Sequence, residues 1–166
     1  MLVGFPQSFL KKLWLNMKTP LRYPGGKSRA VKTLMEFLPQ DCGEVCSPFL
    51  GGGSFELALA EKGIKVYGYD IFKPLVWFWK ALLQDPNKLA VYADVYRTGP
   101  HDFEYKKQIV SAMALTKEDF IRLRSELRLS LEKNEDFSFE NAAKFYAINR
   151  SSFSGATFSG GFSKRA

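Results

Sequence analysis

The sequence predicts an α/β fold with a helical second half. Short apolar runs of strand length alternate with runs at helical spacing through the first ninety-odd residues, and a glycine cluster stands at the turn from the first strand into a helix. Beyond Arg97 the apolar residues fall at helical spacing instead.

Ser28 to Leu38 carries Val31, Leu34, Met35 and Leu38 at helical spacing and stops before Pro39. Glu44 to Phe49 reads as a short strand, and Ser54 to Lys62 as a helix with Gly63 as its C-cap. Lys65 to Tyr69 reads as a second strand, and Lys73 to Leu83 as a helix ended by an Asp85-Pro86-Asn87 turn. Strand, helix, strand, helix implies a parallel sheet with right-handed crossovers. Arg97 to Asp102 breaks the pattern and marks the expected domain boundary. Thr116 with Asp119 resembles a capping box, and Phe120, Leu123, Leu127 and Leu131 form one apolar face after it. Ser138 can cap a further helix carrying Ala142, Phe145, Tyr146 and Ile148. The expected parts are an extension over 1–16, an α/β part over 17–96, a helical insert over 97–150 and a Ser/Gly-rich segment over 151–166.

At 166 residues and 46% hydrophobic, the chain can bury one sizeable core. No apolar stretch approaches the roughly 20 residues of a membrane helix. Cys42 and Cys46 with a single histidine, His101, fall short of a zinc site. Two reduced thiols in a cytoplasmic protein are expected, with a disulfide as the alternative. Met1 to Asn16 lacks the charge order of a secretory signal, because Lys11 and Lys12 follow the apolar start. It reads as an extension ahead of Met17, or as a short amphipathic helix.

The net charge is +7 and unevenly spread. Met1 to Thr33 holds seven Lys/Arg and no acid; Leu34 to Tyr96 holds eight acids and five bases; the remainder holds twelve bases and nine acids. Basic asymmetry of this kind fits a phosphate-backbone partner, although a soluble basic protein without nucleic acid would show it too.

Phe49-Leu50-Gly51-Gly52-Gly53-Ser54 lies at a strand-to-helix turn, where open α/β sheets bind ligands and glycine permits close backbone approach. A dinucleotide fingerprint would place a third glycine at position 56, where Glu56 stands, and a carboxylate there is unfavourable beside a pyrophosphate. Asp70 closes the next strand, seventeen residues after Gly53, where an acid can accept hydrogen bonds from ribose hydroxyls. Ile71 and Phe72 could wall an adenine. Pro24-Gly25-Gly26-Lys27-Ser28 is no nucleotide P-loop, since Leu21 stands where the first glycine belongs. Such a loop before a helix can hold a carboxylate through backbone N–H groups and the Lys27 charge, with Tyr23 as an aromatic face for a sulfonium. It can equally be a plain helix cap.

Arg22-Tyr23-Pro24-Gly25-Gly26-Lys27, Ser47-Pro48-Phe49-Leu50-Gly51-Gly52-Gly53-Ser54, Tyr69-Asp70-Ile71 and Asn149-Arg150-Ser151-Ser152-Phe153-Ser154-Gly155 together resemble the motifs of Dam-type, D12 class adenine-N6 DNA methyltransferases. The resemblance implies an incomplete Rossmann-like methyltransferase sheet with a helical DNA-recognition insert, and S-adenosylmethionine as cofactor. It implies cofactor contacts from Tyr23, Gly25, Gly26, Lys27, Phe49, Gly51, Gly53, Ser54, Asp70 and Ile71. DNA contacts are expected from Lys106, Lys107, Arg122, Arg124, Arg128 and Arg150, with Lys144 beside them. In that family a glutamate commonly precedes Pro-Phe; Ser47 stands there in this chain.

The family's catalytic tetrapeptide, Asp/Asn/Ser-Pro-Pro-aromatic, occurs nowhere in the 166 residues. Asp85-Pro86-Asn87-Lys88 lacks the second proline and the aromatic. The groups that accept hydrogen bonds from adenine N6 and stack on the flipped base are therefore expected on a complementary chain carrying the catalytic half, or lost. The incomplete sheet would leave an open strand edge, available to that chain or to a second copy of this one. The alternatives are a non-catalytic DNA-binding subunit or degenerate remnant, and, more remotely, a fragment of a nucleotide-dependent oxidoreductase.

Overall fold

The computed structural model describes residues 2–4, 18–96, 101–105, 108–112 and 115–163. The chain divides into two compact units, Met1–Val76 and Trp77–Ala166. The expected boundary segment begins at 97–100, outside the described residues; Val76 and Trp77 both belong to one helix, Lys73–Gln84.

In the first unit three strands form one sheet in the order β1-β3-β2, where β1 is Leu2–Gly4, β2 Glu44–Ser47 and β3 Lys65–Tyr69. β2 and β3 are parallel, with Val45 opposite Val66 and Ser47 opposite Gly68. β1 runs antiparallel to β3, Val3 opposite Gly68. The start of the extension therefore adds a strand, not a helix, and makes the sheet mixed instead of purely parallel. Val3 suits the strand: it is buried, and its β-branched side chain favours extended backbone. Among the described residues β2 has a neighbour on one side only.

α1, Val31–Glu36, is shorter than its spacing predicts, and α2, Ser54–Glu61, links β2 to β3. Gly63, at φ +81°, follows α2 as the expected terminator. Leu57, Leu59 and Ala60 of α2 join Leu50, Val66, Leu75 and Val76 in the buried interior of this unit.

α3 is the helix Lys73–Gln84 noted above, and α4, Pro86–Asp94, follows at once. Asp85-Pro86 was expected to make a turn; it starts a helix. The Asp85 carboxylate accepts the Lys88 N–H at 2.9 Å, and Pro86 sits in the first helical turn, where its missing N–H costs nothing.

Within the second unit, the part beyond Arg97 also departs from the helical expectation where it begins. His101–Tyr105 and Gln108–Ala112 pair antiparallel as β4 and β5, His101 opposite Ala112. Ile109 and Val110 favour extended backbone, and two residues between the strands suit a hairpin better than helix. α5, Lys117–Glu132, opens on the expected capping box: Thr116 Oγ1 accepts the Asp119 N–H at 3.1 Å, and Asp119 accepts the Thr116 N–H at 3.2 Å. α6, Phe139–Ser151, is capped by Ser138. α4 and α5 each pack on α6. Phe78 stacks on Tyr146 at 5.4 Å between ring centroids and meets Trp79 edge-on. No helix is long and apolar enough to cross a membrane among the described residues.

Candidate functional site

Every expected cofactor residue lies in the first unit, where the parallel strands β2 and β3 end side by side. The two strand ends are stitched together by the chain that leaves them. Leu50 donates its N–H to the Tyr69 carbonyl at 2.8 Å, and Gly51 donates to Asp70 Oδ2 at 3.0 Å. Asp70 Oδ1 accepts the Phe72 N–H at 3.0 Å, so backbone donors from both strand ends orient the carboxylate. Gly53 closes the loop through its N–H to the Leu50 carbonyl at 3.0 Å and caps α2 at φ +67°. Gly51 takes φ +50°. Both conformations are costly for residues with a Cβ.

The Tyr23–Gly26 segment is a β-turn. Gly26 donates to the Tyr23 carbonyl at 2.9 Å, with Pro24 and Gly25 at the centre and Gly25 at φ +73°. Proline followed by glycine at positive φ is the pattern of a type II turn. Turn chemistry thus accounts for Pro24-Gly25 without any ligand.

Glycines 51 and 52 make room for a side chain of the protein itself. A Cβ on Gly52 would lie 2.9 Å from the Tyr23 Cβ, and one on Gly51 would lie 3.1 Å from Tyr23 Cε1. Burial raises the Tyr23 phenol's pKa, and the nearby Asp70 charge adds to the effect, so the ring stays neutral beside that carboxylate. The two glycine clusters are also joined by the hydroxyls of Ser28 and Ser54, 2.8 Å apart. A cavity of about 400 Å³ opens here between Arg22, Tyr23, Gly25, Gly26, Arg29 and Ser54. Lys27 is exposed. Phe49 and Ile71, 87% and 97% exposed, follow β2 and β3 and give the strand ends an apolar rim.

Sequence reasoning passed over one contact. Glu56, read only as an obstacle to a pyrophosphate, is buried and accepts the Ser47 hydroxyl on Oε1 at 2.6 Å. The signal available was an acid three residues after a glycine N-cap.

In the second unit the expected DNA-contacting residues behave unequally. Lys106 and Lys107 lie outside the described residues. Arg122 pairs with Asp119 at 3.0 Å and Glu126 at 3.2 Å. Arg124 donates to the Gly160 carbonyl at 2.9 Å and to the Phe158 carbonyl, and lies over the Phe120 ring. Arg128 reaches the Phe158 carbonyl at 3.4 Å and covers the Phe158 ring. Lys144 bridges Glu126 at 2.9 Å and Glu140 at 2.8 Å. Burial opposes the Lys144 charge, but the two carboxylates outweigh it and its pKa is raised. Arg150 stands half-buried in the last turn of α6.

The Ser/Gly-rich segment is folded back on these residues. Phe153 donates to the Gly161 carbonyl at 2.9 Å, Ser163 to Ser151 at 2.8 Å, and buried Asn149 holds the Gly155 carbonyl at 3.0 Å. At its tip Ser154 has φ +57°, and its neighbour Phe153 is exposed.

No curated protein matches the chain. The family model for D12 class N6 adenine-specific DNA methyltransferases matches residues 23–163, from the Tyr23 turn to the end of the folded-back segment, and the chain belongs to that family.

Proposed function

We propose that the chain binds S-adenosylmethionine at the joined ends of β2 and β3, and contributes the cofactor-binding and target-recognition portion of a DNA adenine-N6 methyltransferase. The observation that carries this reading is the Asp70 carboxylate, oriented by the Gly51 and Phe72 N–H groups at the mouth of a parallel strand pair.

The residues present suit that cofactor. Asp70 stands where ribose hydroxyls need an acceptor, and Ile71 offers an exposed apolar surface for the adenine. The Tyr23 ring, neutral and seated on Gly51 and Gly52, offers a π face to a sulfonium. Lys27 and the turn before it bring positive charge for a carboxylate. The cofactor supplies a methyl group activated on its sulfonium. The chain's part is to hold that methyl in line with the base and to exclude water, which is where proximity lowers the barrier.

Adenine N6 must donate hydrogen bonds to fixed acceptors while the flipped base stacks on an aromatic ring. The tetrapeptide that provides those groups comes, on this reading, from outside the 166 residues. The side of β2 that has no neighbour among the described residues and the apolar rim at Phe49 are the surface it would use.

The test is complementation. A polypeptide bearing the Asp-Pro-Pro-aromatic half is mixed with this chain, and transfer of labelled methyl to DNA adenine is counted. Transfer by the mixture and by neither part alone supports the reading. Transfer at an ordinary enzyme rate by this chain alone contradicts the assignment of catalysis elsewhere.

A further inference from the structure

Two cavities share walls beside the Tyr23 turn, and they differ in charge. Arg22 and Arg29 line the one of about 400 Å³, together with Tyr23, Ser28 and Ser54. Among the described residues no aspartate or glutamate lines it. Its neighbour, of about 430 Å³, shares Ser28 and Ser54 but carries Lys18 and Glu61. Glu61 stands two turns beyond Ser54 on α2, about 10 Å farther along the axis.

Two guanidiniums without a carboxylate make the first cavity a site for an anion. Arg29 is exposed and makes no ion pair or hydrogen bond among the described residues, so its N–H donors are open to a ligand. Lys27, directly after the turn, is not part of the lining.

The Tyr23 ring connects this cavity to the ends of β2 and β3. Asp70 Oδ2 accepts the Gly51 N–H at 3.0 Å, the Tyr23 ring lies against Gly51, and Tyr23 in turn lines the cavity. A ribose at Asp70 and a sulfur at Tyr23 therefore leave the amino-acid end of the ligand to Arg22 and Arg29. That end carries a carboxylate and an ammonium on one carbon. Guanidiniums bind the first through paired N–H donors and repel the second.

We propose that Arg22 and Arg29 together receive the carboxylate of S-adenosylmethionine, and that this chain selects the amino-acid end by that group alone. The inference rests on the proposed function and deepens it. The carboxylate goes to the two guanidiniums before Lys27, and the ammonium becomes dispensable.

Calorimetric titration of the full chain with four ligands tests this. S-adenosylhomocysteine carries both groups. The carboxypropyl thioether of 5′-deoxyadenosine lacks only the ammonium, the aminopropyl thioether lacks only the carboxylate, and 5′-methylthioadenosine lacks both. Loss of the carboxylate is expected to weaken binding about tenfold to a hundredfold, the range for hydrogen bonds to a charged group. Loss of the ammonium is expected to leave affinity within about threefold or to tighten it. Arg29→Gln should erase most of the preference for the carboxylate, Arg29→Lys less of it, and Lys27→Gln less than Arg29→Gln.

Equal weakening on loss of either group would overturn the inference, and so would a carboxylate preference unchanged in Arg29→Gln. A short DNA duplex, titrated alongside, distinguishes the other source of an oxyanion. Weaker duplex binding by Arg29→Gln with the ligand preference intact would give the cavity to a backbone phosphate and overturn the inference. Failure of the parent chain to bind any of the four ligands would overturn the proposed cofactor site along with it.

Discussion

Gly51 donates its backbone N–H to the Asp70 carboxylate at 3.0 Å, so the end of β3 is tied to the glycine loop that leaves β2. One side chain thus does two things. It fixes the loop that admits Tyr23 and, on the proposed function, presents an acceptor to a ribose.

Removing that carboxylate should therefore cost stability as well as ligand affinity. Asp70→Ala leaves the Gly51 and Phe72 N–H groups without their acceptor, at about 1–3 kcal/mol. Asp70→Asn keeps one acceptor oxygen and should cost less. Chemical denaturation of the two variants reads the difference. Equal stability of Asp70→Ala and the parent would mean the two hydrogen bonds contribute nothing.

The Tyr23 packing makes a prediction that separates two neighbouring glycines. A methyl on Gly51 meets the far edge of the Tyr23 ring, and a methyl on Gly52 meets the Tyr23 Cβ. Tyr23→Ala removes the ring but keeps the Cβ. It should relieve the crowding part of Gly51→Ala and do nothing for Gly52→Ala, while the roughly 1–2 kcal/mol cost of a non-glycine at positive φ remains at Gly51. Double-mutant cycles on unfolding free energy measure both couplings.

Much of the β2–α2–β3 unit is legible in the sequence because it is local: strand-length apolar runs, a glycine turn, a helix closed by Gly63 and an acid at the end of β3. The same holds for Thr116 and Ser138, whose caps reach only three residues ahead. What stays hidden depends on partners far along the chain or on a choice between equal local readings. Asp85-Pro86 satisfies a turn and an N-cap with proline in the first helical turn equally well. β1 becomes a strand only because β3 is there to pair with it. Tyr23 on Gly51 and Gly52, Ser47 on Glu56, and Arg124 on the Phe158 and Gly160 carbonyls join residues no periodicity relates. For that reason the arginines of α5, expected from the sequence to contact DNA, are found engaged within their own unit.

Arg124 and Arg122 should accordingly respond differently to truncation. Arg122 is mostly exposed, and its ion pairs with Asp119 and Glu126 are surface pairs worth well under about 1 kcal/mol. Arg124 holds two carbonyls of the folded-back segment, so Arg124→Ala should lower the melting temperature clearly more than Arg122→Ala. Protection of the Phe153 and Ser163 amides from hydrogen exchange should fall in Arg124→Ala alone. Matching losses in the two variants would contradict the structural role of Arg124.

Acid sensitivity follows from the same helix. Hydrogen bonding from Arg122, with the Thr116 backbone and hydroxyl behind it, holds Asp119 below the usual aspartate pKa; Lys144 does the same for Glu126. A carboxyl whose folded pKa is depressed adds stability above its unfolded pKa, near 4 for these groups, and that contribution is lost as pH falls through the folded value. Stability should therefore decline from about pH 4 downward. Thr116→Ala should flatten the decline, because the depression of Asp119 is then smaller. Melting temperatures of the parent and Thr116→Ala from pH 6 to pH 2 test this, and parallel curves would contradict it.

The most direct measurement is a calorimetric titration of S-adenosylmethionine into the purified chain and into Asp70→Asn. Saturable binding at one site, weakened at least about tenfold in the variant, is the result predicted for a carboxylate that receives the ribose hydroxyls. Equal affinity in the two proteins, or no saturable binding by the parent chain, would contradict a cofactor site at the joined ends of β2 and β3.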